Sequence, residues 1–146
     1  MQLPDYVPIV EVQRICQELG IRDWTQLPDP PQVLPDEAEK ILQVVNVEKM
    51  DIPLEDFITG LEVELEHGTR FKDANVTNNH PILTGKIVLA HLKETMDYYQ
   101  RLDIAELEGD LLKAMVAKKF DKAEKKYRAL LKARAALAVL EAKAFA

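Results

Sequence analysis

The chain has 146 residues, of which 47% are hydrophobic and 30% are charged, and its formal net charge is −6 at pH 7. This length provides for one hydrophobic core and excludes two full-sized domains. Cys16 is the only cysteine, which excludes a disulfide within the chain, and its place in an apolar stripe predicts a buried thiol. No segment has the roughly 18 to 20 apolar residues of a membrane helix and no basic leader opens the chain, so we expect neither a membrane partner nor a signal peptide.

The first predicted elements are a helix and a proline-rich loop. A helix is predicted at about 8–19, because Pro8 suits its start, apolar residues recur every three or four positions, and Gly20 suits its end. Residues 21–35 contain four prolines, which disfavour regular structure. They predict an ordered loop that Trp24 holds in place.

Two further helices are predicted before residue 70. The first spans 36–45, with Asp36 as its N-terminal cap. The second spans about 53–67, and we expect Gly68 to stop it.

The second half of the chain continues the helical pattern. A helix is predicted from Pro81 through Leu92 or Glu94. A long helical stretch, capped by Asp97 and broken near Phe120, completes the chain. Since no strand pattern or repeat is present, we predict an all-α fold: a small helical domain with a long C-terminal helix.

Charge divides the sequence into two parts. Residues 1–112 hold 22 acidic and 9 basic side chains, a net charge of −13, whereas residues 113–146 hold 3 acidic and 10 basic ones, a net charge of +7. We therefore predict an acidic helical domain over 1–112 and a basic C-terminal helical tail over 113–146. Such asymmetry is typical of a tail that contacts nucleic acid, a partner protein, or the body of another copy.

All three histidines lie between residues 60 and 94, close to several glutamates. Glu64 and His67 continue the apolar stripe of their helix, and His91 shares a face with apolar residues of the next helix. We therefore expect His67 and His91 to face the interior or its rim and to meet Glu64. His80 precedes a proline, where a capping or surface role is favoured over metal ligation.

Three interpretations of the Glu64, His67 and His91 cluster are open. A hydrogen-bonded structural joint is favoured over a divalent metal site, and a metal site over catalysis. The Glu64-x-x-His67 spacing also occurs in di-iron bundles, but these need further carboxylates that the sequence does not assign. No nucleotide-binding, P-loop, CxxC or HExxH motif is present, so no catalytic residue and no cofactor other than a divalent metal is predicted.

Four stretches within about residues 57–102 carry a resemblance: GLEVELEHG, NVTNNHP, TGKIVLAHLKE and DYYQRL. In these stretches the chain resembles an uncharacterised family of small proteins found in bacteria and, often, in tailed phages, including phages of cyanobacteria. The resemblance implies a helical module and a virion or phage-accessory role. It brings no catalytic residues, and the first 50 residues and the basic tail lie outside it.

We therefore predict a non-enzymatic structural or interaction protein of a tailed phage or prophage, such as a capsid cement, decoration or connector component. It would act in the virion or the host cytoplasm, with other virion proteins or further copies of itself as partners. The acidic body argues against direct contact with nucleic acid. The alternative is a metal-binding or catalytic helical protein that uses the histidine and glutamate cluster.

The basic tail is the predicted contact surface. A helix of this length carries more apolar surface than a lone helix exposes to water. The predicted interaction residues are Phe120, Tyr127, Leu130 and Leu137. We expect a neighbouring protein or another copy to cover these residues. Unless a large acidic surface contacts the helix, its many lysines would keep it hydrated.

Overall fold

The computed structural model describes residues 7–145, and all regular secondary structure in this part of the chain is helical. Six α-helices follow one another: α1 (Ile9–Leu19), α2 (Pro35–Val45), α3 (Leu54–Arg70), α4 (Pro81–Glu94), α5 (Tyr98–Val116) and α6 (Phe120–Ala144). Short 3-10 turns lie at Trp24–Gln26 and Lys72–Ala74. The predicted all-α fold with a long C-terminal helix is confirmed.

The described chain forms two compact units, one ending at Glu94 and the other beginning at Thr95. This boundary lies before α5, whereas the charge distribution divides the sequence after residue 112. The difference arises because α5 packs against α6, so contacts rather than net charge define the second unit. With this boundary, residues 1–94 hold 17 acidic and 8 basic side chains (net −9), and residues 95–146 hold 8 acidic and 11 basic ones (net +3).

The first unit is built on α2, α3 and α4, which pack against one another, while α1 contacts α4 and the turn at Trp24. Trp24 is fully buried, as the sequence predicted. Gly85 of α4 lies against α2: a Cβ atom there would be 2.6 Å from Cγ2 of Ile41. Close approach of two helices therefore depends on a residue without a side chain.

Local sequence signals predict some helix ends correctly and others wrongly. Gly20 ends α1 in the left-handed conformation, with φ of 62°, as predicted. At the start of α2, the side chain that accepts from the Leu34 backbone N–H is Glu37 and not Asp36, so the predicted cap is wrong. The expectation that Gly68 stops α3 is also wrong, because Gly68 is buried inside the helix, which continues to Arg70.

The second unit is an antiparallel hairpin of α5 and α6. Residues 117–119 join the helices, and Lys118 turns the chain with φ of 55°. Ion pairs cross the hairpin from Arg101 to Glu141 (2.9 Å) and from Asp110 to Lys126 (2.7 Å). Across the described residues, no helix is both long and apolar enough to cross a membrane.

Candidate functional site

The structure brings two of the three predicted cluster residues together. Nε2 of His91 on α4 lies 3.5 Å from Oε1 of Glu64 on α3. Both side chains are largely buried, since 29% of His91 and 15% of Glu64 is exposed. This distance is at the long end for a hydrogen bond, and the contact becomes an ion pair when the imidazole is protonated. The pair therefore joins α3 to α4 and matches the expected polar joint.

His67 has a different environment. Of the two expected positions, the interior or its rim, its exposed side chain excludes the interior. With Glu64, Thr77 and Ile87 it lines a cavity of about 150 Å³. Among residues 7–145, no group of three or more His, Cys, Asp or Glu side chains is arranged to hold a metal ion. The divalent metal site stays a prediction, with Glu64 and His91 as the two donors that the structure places side by side.

His80 is a buried cap of α4. Only 8% of the residue is exposed, and its Nδ1 accepts a hydrogen bond from the backbone N–H of Leu83 at 3.3 Å. The hydroxyl of Thr84 donates to the His80 carbonyl at 3.0 Å. Burial lowers the pKa of His80 below its usual value, against the opposing charge of Glu11. The predicted capping role is confirmed, and a surface role is excluded.

The free energy of unfolding should decrease as the pH falls below about 6.5. Below this pH, His80 binds a proton in the unfolded chain but not in the folded protein, where it is buried. This loss continues until the pH passes below the lowered pKa of the folded state. His80→Asn retains a side-chain acceptor at the cap but does not titrate, so its melting temperature should change less between neutral and acid pH. His67→Asn is the matched control, because it makes the same substitution at an exposed histidine. Equal slopes for wild type and His80→Asn would contradict this assignment.

An asparagine network connects the end of α3 to the start of α4. The amide of Asn75 donates to the Gly68 carbonyl at 3.3 Å and to Oδ1 of Asn79 at 2.9 Å. The Asn79 amide in turn donates to the Trp24 carbonyl at 3.3 Å. A Cβ atom on Gly68 would lie 2.7 Å from Nδ2 of Asn75, so the glycine is required for this packing. The NVTNNHP stretch thus connects α3 to α4 through side-chain hydrogen bonds. Its turn-forming residues alone do not reveal this role.

A larger cavity of about 510 Å³ borders this network. Its lining combines apolar residues with polar ones, among them Thr25, Asp29, Lys72 and Asn78. The polar side chains include hydrogen-bond donors and acceptors, one positive charge on Lys72 and one negative charge on Asp29. The amide of Asn78 already donates to the Val7 carbonyl, so the lining is partly committed to the fold.

The predicted interaction residues of the tail fall on two sides of α6. Leu130 is buried, with 3% of its surface exposed, and Leu137 is half-buried. By contrast, 63% of Phe120 and 50% of Tyr127 is exposed. Leu130 therefore packs inside the hairpin and is not available to a partner, while Phe120 and Tyr127 are.

Two exposed apolar residues of α5 lie beside an ion pair that crosses the hairpin. Arg134 of α6 donates to Glu108 of α5. Leu112 and Met115 follow Glu108 by four and seven residues, so they share its face of α5. Both are exposed, Leu112 by 65% and Met115 by 49%.

Three exposed apolar residues of α6 lie on the same side of the hairpin. Leu131 and Tyr127 precede Arg134 by three and seven residues, and Phe120 precedes Tyr127 by another seven. Because Glu108 and Arg134 are in contact, the two sets form one surface near the connecting turn. We call this surface the tip face: Leu112, Met115, Phe120, Tyr127 and Leu131, each between 48% and 65% exposed.

A family model described as a protein of unknown function, DUF5661, matches residues 12–108. The chain belongs to the DUF5661 family. The DUF5661 match includes the Glu64–His91 contact and the asparagine network, and it ends within α5. All of α6 and the entire tip face lie beyond the match. No curated protein and no solved structure matches the chain.

Proposed function

We propose that this chain is a non-enzymatic interaction protein that joins a larger assembly through the tip face. The observation that supports this proposal is the exposure of five large apolar side chains on one side of a two-helix hairpin. Large exposed apolar surfaces on a folded protein mark contacts with another molecule. Lys118, Lys119 and Lys122 surround the turn end of the surface and provide a charged rim of the kind found at protein interfaces.

The proposal extends to the kind of assembly. The resemblance of the GLEVELEHG, TGKIVLAHLKE and DYYQRL stretches to small helical proteins of bacteria and tailed phages supports a virion as the setting. In that setting the chain acts as a cement, decoration or connector component, with other virion proteins or further copies of itself as partners. The net charge of −9 in residues 1–94 disfavours nucleic acid as the main partner.

Leu131→Glu should remove the chain from its assembly, because it places a charge in the centre of an apolar contact. The measurement is the fraction of the tagged chain that cosediments with particles purified from cells producing it. We expect at least a tenfold loss of cosedimentation, since about 1.4 kcal/mol of lost contact energy suffices for this.

Val139→Glu is the matched control. Val139 lies on the same helix and is 56% exposed, but it is outside the tip face. Cosedimentation should be retained in this variant. If wild-type chain stays in the soluble fraction, the virion proposal is wrong; if both variants cosediment fully, the tip face is not the contact surface.

A second candidate function is divalent metal binding at Glu64 and His91, which their 3.5 Å contact favours. Imidazole and carboxylate together suit zinc or a similar transition metal. Titration of the purified chain with Zn²⁺ by calorimetry should then show one site, and His91→Ala should remove it. Heat of binding that persists in His91→Ala would place the metal elsewhere.

A further inference from the structure

We propose that a second copy of this chain covers the tip face, so that two α5–α6 hairpins form a four-helix bundle. The inference rests on the proposed function in one respect only, namely that the tip face is a contact surface. It adds the identity of the partner and the symmetry of the contact.

The hairpin of α5 and α6 has a small core. From Thr95 to Phe145, the residues with less than 9% exposure are Tyr99, Ala114, Ala123 and Leu130. Two of these four are alanines, and each helix exposes large apolar side chains instead. A pair of helices gains most of its stability from apolar faces packed against further helices. A hairpin with this pattern is therefore half of a bundle.

The tip face is two helices wide. Leu112 and Met115 belong to α5, whereas Phe120, Tyr127 and Leu131 belong to α6. A single partner helix in the groove between α5 and α6 would contact both sets but leave their outer edges exposed. A surface two helices wide covers both, and the tip face of another copy has this width. Self-complementarity of one patch is the requirement for a closed two-fold dimer.

The two helices of the hairpin differ in net charge. Helix α5 holds four acidic and two basic side chains, a net charge of −2, whereas α6 holds three acidic and seven basic ones, a net charge of +4. A two-fold axis parallel to the helices places α5 of each copy beside α6 of the other. Helices of opposite net charge then alternate around the bundle, which favours this arrangement over one that pairs α6 with α6.

The test is the molar mass of the full chain by light scattering after size-exclusion chromatography, from low to high micromolar concentration. We expect a dimer for wild type and for Val139→Glu, and a monomer for Leu131→Glu with unchanged helix content by circular dichroism. Leu112→Glu, on the other helix, is the second monomeric variant if Leu131→Glu loses helix.

The outcomes separate this inference from the proposed function. A monomeric wild type at every concentration overturns the dimer, but the proposed function survives if Leu131→Glu still abolishes cosedimentation with particles. An open series of species larger than a dimer also overturns it, because it indicates contact between the basic hairpin and the acidic first unit of the next copy. A monomeric wild type whose Leu131→Glu variant cosediments normally overturns both proposals.

Discussion

Arg22→Ala should lower the free energy of unfolding by about 3 kcal/mol, the loss typical when a buried carboxylate loses its cationic partner. Glu37 is the buried partner, with 1% of its side chain exposed. The guanidinium of Arg22 donates to both of its carboxylate oxygens, at 2.9 Å and 2.7 Å. Two backbone N–H groups, those of Arg22 and Leu34, also donate to this carboxylate. Without the guanidinium, a charge remains buried with these two neutral donors.

The pH dependence of this loss has a definite sign. Burial acts to raise the pKa of Glu37, but the hydrogen bonds from Arg22 and the backbone outweigh it and hold the pKa below the usual 4.5. Glu37 therefore stabilises the wild type above the unfolded pKa, and this contribution is lost as the pH falls through the folded pKa. In Arg22→Ala burial remains and the pKa of Glu37 should rise. The difference in free energy of unfolding between wild type and Arg22→Ala should thus shrink as the pH falls towards about 4.

Chemical denaturation at several pH values measures both effects. Arg14→Ala is the matched control, because Arg14 also pairs with glutamates, Glu11 and Glu18, but on the surface. Exposed ion pairs contribute little to stability, so its unfolding curve should nearly superimpose on that of wild type. Equal losses in the two arginine variants would show that the burial of Glu37 does not govern the effect.

Gly85→Ala should lower the free energy of unfolding by about 2 kcal/mol, within the usual cost of overpacking a core. The added Cβ atom would lie 2.6 Å from Cγ2 of Ile41 and 3.4 Å from Cγ1 of Val45. Ile41 is fully buried and cannot move aside. The steric cost exceeds the gain of about 1 kcal/mol that alanine brings to a helix.

Gly109→Ala provides the control for helix propensity. No atom lies within 4 Å of a Cβ atom at Gly109 on α5, so this variant should be more stable than wild type by up to about 1 kcal/mol. In Gly85→Ala combined with Ile41→Ala, the loss should be smaller than the sum of the two single losses, because the clashing atom is absent. A Gly85→Ala variant as stable as Gly109→Ala would contradict the close approach of α4 to α2.

Two glycines show which features the sequence could predict. Gly20 ends α1 because the signals for a helix end are all local: an apolar stripe that stops and a residue that tolerates positive φ. Gly68 looks the same in the sequence but lies inside α3, because Asn75 and Asn79 pack against it. Helix type and number depend on local periodicity, whereas the role of a glycine depends on contacts distant in sequence.

The misplaced residues have a related cause. The buried positions of α3 run through Leu61, Leu65 and Gly68, so His67 falls outside the stripe although its spacing from Glu64 fits. On α6, Leu130 follows Tyr127 by three residues, and the sequence combines them in one surface. The structure separates them, because α5 covers Leu130 and leaves Tyr127 exposed. Periodicity identifies apolar residues but does not show which of two adjacent stripes a neighbouring helix covers.

The most direct measurement of the central claim is hydroxyl-radical footprinting of the assembled wild-type chain against Leu131→Glu. If the tip face is the contact surface, the oxidation rates of Met115, Phe120 and Tyr127 should fall several-fold in the assembled protein. Met96 and Phe71, which are 38% and 56% exposed and lie outside the tip face, should react at the same rate in both samples. Equal oxidation of Met115 and Tyr127 in the assembled and the variant protein would contradict the account.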